Sequence, residues 1–427
     1  MPEGTLKRSA YVLAVLILAL AIYGKPSAPH ASAWLLSSRQ KDFAALKVET
    51  RSFAFLRHPV AFDIDGDGTC EITGGNLNSF YCLRSQKEAL RWCYKTFGEI
   101  TSAPIFEKID NDRIYDIIFS STDGNLYAVS GDSGALIWKF RSDGRLFASP
   151  MLFEGNIIAV SDKGTVYSLE TGSALKWKYE TGERTLLSPC MAGLLFPKVI
   201  ALSNSGTVTA IDFFTGSLKW KKKLDGRFFA EPVSIVSDKR HSENIYVISE
   251  KGTLTRLNGD GAETGREELG ARVLVSPAIA PLSKGGPAGL FVVSAEKKHF
   301  LIEEQGLKVL WRKAPGGIIR KFELLSDPVS LDLDSDGRQD FICGSEGPVL
   351  YAVSGKTGDV IGRVKASDSF CATPCIADMD GDGFMEILSS AGDNRIYTMK
   401  TKATTKGQCF KYRMDHNNTG EYRDADK

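Results

Sequence analysis

Three segments of this 427-residue chain carry carboxylates at alternate positions around glycine. They are Asp63, Asp65, Asp67 and Glu71; Asp332, Asp334, Asp336 and Asp340; and Asp378, Asp380, Asp382 and Glu386. Each begins four residues after a proline and places its acids at loop positions 1, 3, 5 and 9. Ca²⁺ is a hard cation that takes about six to eight oxygens, and alternate residues of a glycine-bent loop can turn theirs toward one point. The carbonyl of position 7 would add a ligand. Without a cation, these like charges repel one another across a few ångströms. The spacing therefore predicts about three Ca²⁺ sites; the plain alternative is a solvated acidic turn. No histidine or other base lies in the motifs, so the predicted ions are structural and no catalytic residue is assigned. A fourth copy keeps Asp110, Asp112 and Asp116 but has Lys108 at position 1. An ammonium there could stand in the cation's place, and no ion is expected.

A second recurrence is cationic. Arg145, Arg184, Arg227 and Arg272 each stand five residues before a proline, in four consecutive units. The same slot elsewhere holds Ala54, Glu99, Glu323 and Ser369. Guanidinium groups along an arc bind carboxylate or phosphate groups bidentately. The alternative is that each arginine pairs with a carboxylate or carbonyl of a neighbouring unit.

What positions these residues is an internal repeat, the feature to seek before any other. Prolines heading short apolar runs recur at 59, 104, 150, 189, 232, 277, 328 and 374, spaced by 45, 46, 39, 43, 45, 51 and 46 residues. The second half of each unit repeats as well: LYAVSGDSGALIWKF at 126–140, VYSLETGSALKWKY at 166–179 and LYAVSGKTGDVIGRV at 350–364. Trp92, Trp138, Trp177, Trp220 and Trp311 fall in one slot of this pattern, on the strand after a turn. A single twisted four-stranded sheet cannot bury both faces, so such units pack radially and the ring must close. The predicted fold is all-β, an eight-bladed β-propeller of four-stranded blades over residues 59–412.

These units resemble the repeats of the pyrroloquinoline-quinone-type propellers, and the acidic loops are similar to the calcium loops of integrin-type FG-GAP propellers. The first resemblance implies either quinone enzymes or cofactor-free scaffolds. It also implies that the arginine slot lies near one mouth of the central channel, with the acidic loops on the opposite face. The chain looks similar to the propeller component of bacterial outer-membrane protein assembly, a lipid-anchored family. The expected function is an exported calcium-binding scaffold that holds a protein or acidic ligand on one face. The alternatives are a pyrroloquinoline-quinone-dependent dehydrogenase and a cell-surface adhesion or carbohydrate-binding propeller. Quinone is not an expected cofactor, because the axial loops and vicinal cysteine pair of such enzymes are missing from the repeat.

Bulk composition fits this reading. Lysine and arginine number 53 against 52 acidic residues, which gives no case for nucleic acid. Lys7 and Arg8, an apolar run from Ala10 to Tyr23 and the small residues Ala31, Ser32 and Ala33 read as an export signal over residues 1–33. The apolar run is shorter than the ~20 residues of a spanning helix. Cleavage after Ala33 would leave a periplasmic or extracellular protein without stable membrane insertion; retention would leave an N-terminal anchor. No cysteine follows for lipid attachment. Residues 34–58 form an N-terminal segment whose Leu46–Thr50 stretch is a candidate ring-closing strand, in competition with Cys409–Arg413. Residues 413–427 read as a polar, frayed tail. Cys82 with Cys93, and Cys371 with Cys375, are open either to disulfides or to free thiols.

Overall fold

The computed structural model describes residues 48–52, 56–84, 90–110, 112–193, 195–237, 242–283, 285–314, 326–345, 347–404 and 421–424. The export segment, Leu46–Lys47 and Cys409–Arg413 lie outside these. Among the described residues there is no helix, and none long and apolar enough to cross a membrane.

Each of the first seven repeats folds into four antiparallel strands paired in sequence order, as in Met151–Phe153, Asn156–Val160, Thr165–Glu170 and Leu175–Glu180 of blade 3, and the eighth supplies three. Eight such sheets follow one another, and the protein is an eight-bladed propeller. First strands of neighbouring blades contact each other, so these short strands line the axis. Blade 8 draws its outer strand from the other end of the chain. Val48–Ser52 lies antiparallel on Arg395–Met399, in the register Val48 opposite Met399 and Ser52 opposite Arg395. The two ends of the chain thus share one sheet, which closes the ring.

The core is divided among the gaps between blades. Eight apolar clusters each draw on two adjacent blades. One of them, with Ala61, Ile72, Leu83, Cys375, Leu388 and Ile396, seals blade 8 to blade 1. Aromatic rings face across the gaps, with Phe80 stacked on Phe119 at 4.3 Å and Phe291 on Phe341 at 4.0 Å.

The tryptophans explain their own slot. In blades 1 to 7 the register between third and fourth strands shifts at the same place, a β-bulge beside the tryptophan position. The bulge aims the indole at the next blade, where its N–H donates to a turn carbonyl. Trp92 bonds Gly131 O at 2.8 Å, Trp138 Thr171 O at 2.8 Å, Trp177 Phe213 O at 2.9 Å, Trp220 Gly259 O at 2.8 Å and Trp311 Gly355 O at 3.0 Å. Glycine in that turn is required twice over. Gly216 has φ +70, and a Cβ there would lie 2.6 Å from the Trp177 ring. Blade 5 has Gly265 in the tryptophan slot, and Arg256 supplies the stitch instead, donating to Glu304 O at 2.9 Å and Gln305 O at 2.7 Å.

The structure decides one open alternative and changes one expectation. Cys82 and Cys93 are free thiols, one buried and one exposed: they sit on opposite faces because Cys82 pairs with Trp92 and Cys93 with Tyr81. The C-terminal tail is not frayed throughout, since Glu421–Asp424 forms a fifth strand on blade 5.

Candidate metal centres and the arginine face

The acidic loops connect the first and second strands of blades 7, 8 and 1, which are consecutive across the closure. Their first aspartate builds the turn. Asp63 Oδ1 accepts the N–H groups of Gly66 (2.8 Å) and Asp67 (3.2 Å), and its Oδ2 that of Gly68 (3.0 Å). Asp332 and Asp378 accept the equivalent N–H groups of Gly337 and Gly383, each at 3.0 Å. With the backbone so wound, three carboxylates converge in each loop, their oxygens within 4.8 Å of one another. The sets are Asp63, Asp65 and Glu71; Asp332, Asp334 and Asp336; and Asp378, Asp380 and Glu386.

Asp67, Asp340 and Asp382 stand outside those sets. Asp67 Oδ1 accepts from the Thr69 amide and hydroxyl (2.8 and 2.6 Å), and Asp382 Oδ1 from the Phe384 amide (3.0 Å). Position 9 acts as a bracket. Asp340 uses one oxygen on the Leu333 amide (2.9 Å) and the other on Gly355 (3.1 Å). Glutamate at the same position is longer: Glu386 bonds the Met379 amide (2.8 Å) with one oxygen and turns the other into the loop. Asp65 Oδ1, Asp378 Oδ1 and Glu386 Oε1 are buried oxygens with no hydrogen-bond donor. Buried acceptors of that kind call for a partner, and hard oxygens in this arrangement fit Ca²⁺. Burial pushes the Asp340 and Glu386 carboxyls up to about 7, and raises Glu71 and Asp332 as well.

Sequence reasoning missed a basic side chain at each loop. The buried Arg91 lies 2.9 Å from Asp65 and 3.2 Å from Glu71. Lys400 lies 2.8 Å from Asp380 and also contacts Asp382. Lys356 is 3.8 Å from Asp336. These residues come from later strands and turns, which is why motif spacing does not reveal them. In the degraded loop the Lys108 ammonium, a candidate for the cation's place, lies over the Tyr115 ring at 4.7 Å.

Neighbouring loops also interlock. The Cys70 amide of blade 1 donates to Met379 O of blade 8 (3.0 Å), and the Tyr115 amide of blade 2 to Ile64 O of blade 1 (2.9 Å).

The arginines occupy the opposite end of the strands. Each backbone carbonyl is held by the turn between second and third strands of its own blade. Arg145 O accepts from Asp162 (2.8 Å), Arg184 O from Asn204 (3.2 Å), Arg227 O from Glu250 (2.6 Å) and Arg272 O from Ala295 (2.7 Å). The Arg145, Arg184 and Arg227 side chains are exposed and that of Arg272 half-buried. Carboxylates interleave with them. Asp162 Oδ1 accepts the Arg145 amide (2.9 Å) while its Oδ2 lies 3.8 Å from Arg184, and Glu296 accepts the Arg272 amide (2.7 Å). Arg227 lies over the Phe229 ring at 5.4 Å.

A polar belt around the axis was also missed. In blades 2 to 6 the residue before the proline donates its amide to the side chain of its counterpart in the next blade. The chain runs from Ala103 to Ser149 (2.9 Å), Ser188 (2.9 Å), Glu231 (3.2 Å), Ser276 (3.2 Å) and Asp327 (2.6 Å). The signal was present, since seven of the eight pre-proline residues are polar and Ala103 alone is not. His58, in the same slot of blade 1, is held down to about 4 by burial.

A family model described as outer membrane protein assembly factor BamB matches residues 110–241 and 197–316, and a model of the FG-GAP-like repeat matches residues 332–389. The chain's repeats are PQQ-like β-propeller repeats, accompanied by FG-GAP-like repeats. The FG-GAP-like match contains the acidic loops of blades 7 and 8 of this PQQ-like propeller. Among solved structures it is similar to BamB from Moraxella catarrhalis, at 14% identity and TM-score 0.64, covering 83% of this chain and 100% of that one. It is similar also to Sqt1 of Saccharomyces cerevisiae, at 11% identity and TM-score 0.62, covering 83% and 97%. The computationally designed Ika8 protein aligns at 10% identity and TM-score 0.61, covering 81% and 96%. At these identities the likeness is one of fold. A curated relative, the beta-alanine-activating enzyme of Danio rerio, is 27% identical over 113 residues, which is 26% of this chain and 7% of that protein.

Proposed function

We propose that this propeller is an exported, non-catalytic scaffold, braced by Ca²⁺ at the acidic loops of blades 7, 8 and 1, that holds an acidic protein partner on its arginine face. One observation carries the partner assignment: Arg145, Arg184 and Arg227 present exposed guanidinium groups from adjacent blades on one face, their backbones fixed by the turns beneath. The match to a family described as an assembly factor favours a scaffold role over an enzymatic one. The basic start, apolar run and small-residue segment of residues 1–33 support export.

The test replaces Arg184 and Arg227 together by alanine. Both are exposed and Arg184 has only a long ion pair, so the melting temperature should stay within a few degrees of wild type. Capture of the partner pulled down by calcium-loaded wild type should fall, and wild-type capture should weaken as salt rises. Intact capture with lowered stability would make the arginines structural. Saturable binding of pyrroloquinoline quinone with dye-linked turnover would replace the scaffold reading by an enzymatic one.

A further inference from the structure

The inner strand of blade 5 differs from its counterparts. Val233–Ser237 has five residues, whereas the inner strands of six other blades have three and Ala278–Pro281 of blade 6 has four. Its partner Ser242–Ile248 is correspondingly long, and the pairing continues through Val236 with Glu243 and Ser237 with Ser242. The three-residue strand Cys190–Ala192 of blade 4 contacts this strand but does not pair with it. Exposed strand edges present unpaired N–H and C=O groups that recruit other strands. Here the edge is taken by the chain's own C-terminus: Glu421–Asp424 lies parallel to it, from Ser234 opposite Glu421 to Ser237 opposite Asp424.

We propose that this edge is a strand-accepting site for an extended peptide of a partner protein, and that Glu421–Asp424 is its resident competitor. Main-chain hydrogen bonds supply affinity in such β-augmentation, and the tail demonstrates that this edge accepts an added parallel strand. Four residue pairs of parallel ladder form a short contact, and parallel pairing is slightly the weaker kind. What favours the tail is its tether. It is covalently part of the same chain, and a tethered segment competes at an effective concentration on the order of millimolar. A partner strand with a longer register or better side-chain fit can therefore displace it. The site is separate from the arginine face and needs none of the arginines.

The experiment uses the full-length chain and a labelled synthetic peptide of residues 417–427. Tyr422→Pro removes a strand donor from the tail and leaves the blades untouched. A second variant lacks residues 421–427. Both should melt within a few degrees of wild type and bind the peptide at least about tenfold more tightly than wild type, since the tethered competitor is gone. The peptide carrying the same proline should not bind. Equal affinity for wild type and variants, or no binding to either variant, would overturn the proposal. So would a large loss of stability that added peptide does not restore, because the tail would then be a strut.

Discussion

At the scale of single residues, the acidic loops make a pH-dependent demand. Asp340 and Glu386 have folded-state values of about 7, above their ordinary carboxylate range. A raised carboxyl contributes stability that is fully present below its unfolded value and is lost as pH rises through the folded one. Metal-stripped protein should therefore melt at a lower temperature at pH 7.5 than at pH 5.5, other groups being equal. Ca²⁺ binds the ionised form, so the rise in melting temperature it produces should be larger at pH 7.5. A calcium effect that shrinks between those values would contradict the account. Arg91 competes for the same carboxylates in blade 1, whereas Lys356 is only at 3.8 Å in blade 7. Lys400 competes in the same way in blade 8, at 2.8 Å from Asp380, so the blade 7 loop should bind Ca²⁺ most tightly of the three. Loop spacing made the acids legible in sequence. It could not reveal Arg91 or Lys400, whose approach depends on strand pairing, nor that Asp340 spends both oxygens on amides.

At the scale of elements, the tryptophan stitch joins adjacent blades. Trp177→Phe keeps most of the ring but removes the donor to Phe213 O, leaving a buried carbonyl unpaired; urea unfolding should register a loss of about 1–3 kcal/mol. Gly216→Ala places a Cβ against the Trp177 ring at a positive φ and should cost at least as much. Blade 3 offers the converse. Ser173 adopts φ +75 in the corresponding turn, so Ser173→Gly should stabilise by about 0.5–1 kcal/mol. An unchanged denaturation midpoint in all three would remove the stitch from the account. The tryptophan slot was plain in sequence because it recurs at fixed phase. The Arg256 replacement was not, because the substitute stands on the third strand and not in the slot.

At the scale of the whole molecule, function-bearing features divide the ring. Acidic loops occupy blades 7, 8 and 1, and arginines the approaches to blades 3 to 6, at the opposite ends of the strands. The acidic sector straddles the one place where the ring is closed by strand pairing between distant parts of the chain, Val48–Ser52 on Arg395–Met399. The hydrogen bond from the Cys70 amide of blade 1 to Met379 O of blade 8 lies on this same seam. The repeat made eight blades readable from proline spacing alone. Which strand completed the last blade was not readable, because two segments carried similar patterns. The tail strand was hidden for a simpler reason: Glu421–Asp424 is polar and has no periodicity of its own, so only the open edge of blade 5 gives it structure.

Whether Ca²⁺ braces this seam is decided by calorimetric titration of metal-stripped protein. Saturable Ca²⁺ binding is expected at about three sites, one of them lost in Asp380→Ala while the others remain, with a melting temperature that rises with occupancy. No measurable heat of binding at millimolar Ca²⁺, with a melting temperature indifferent to the ion, would contradict it.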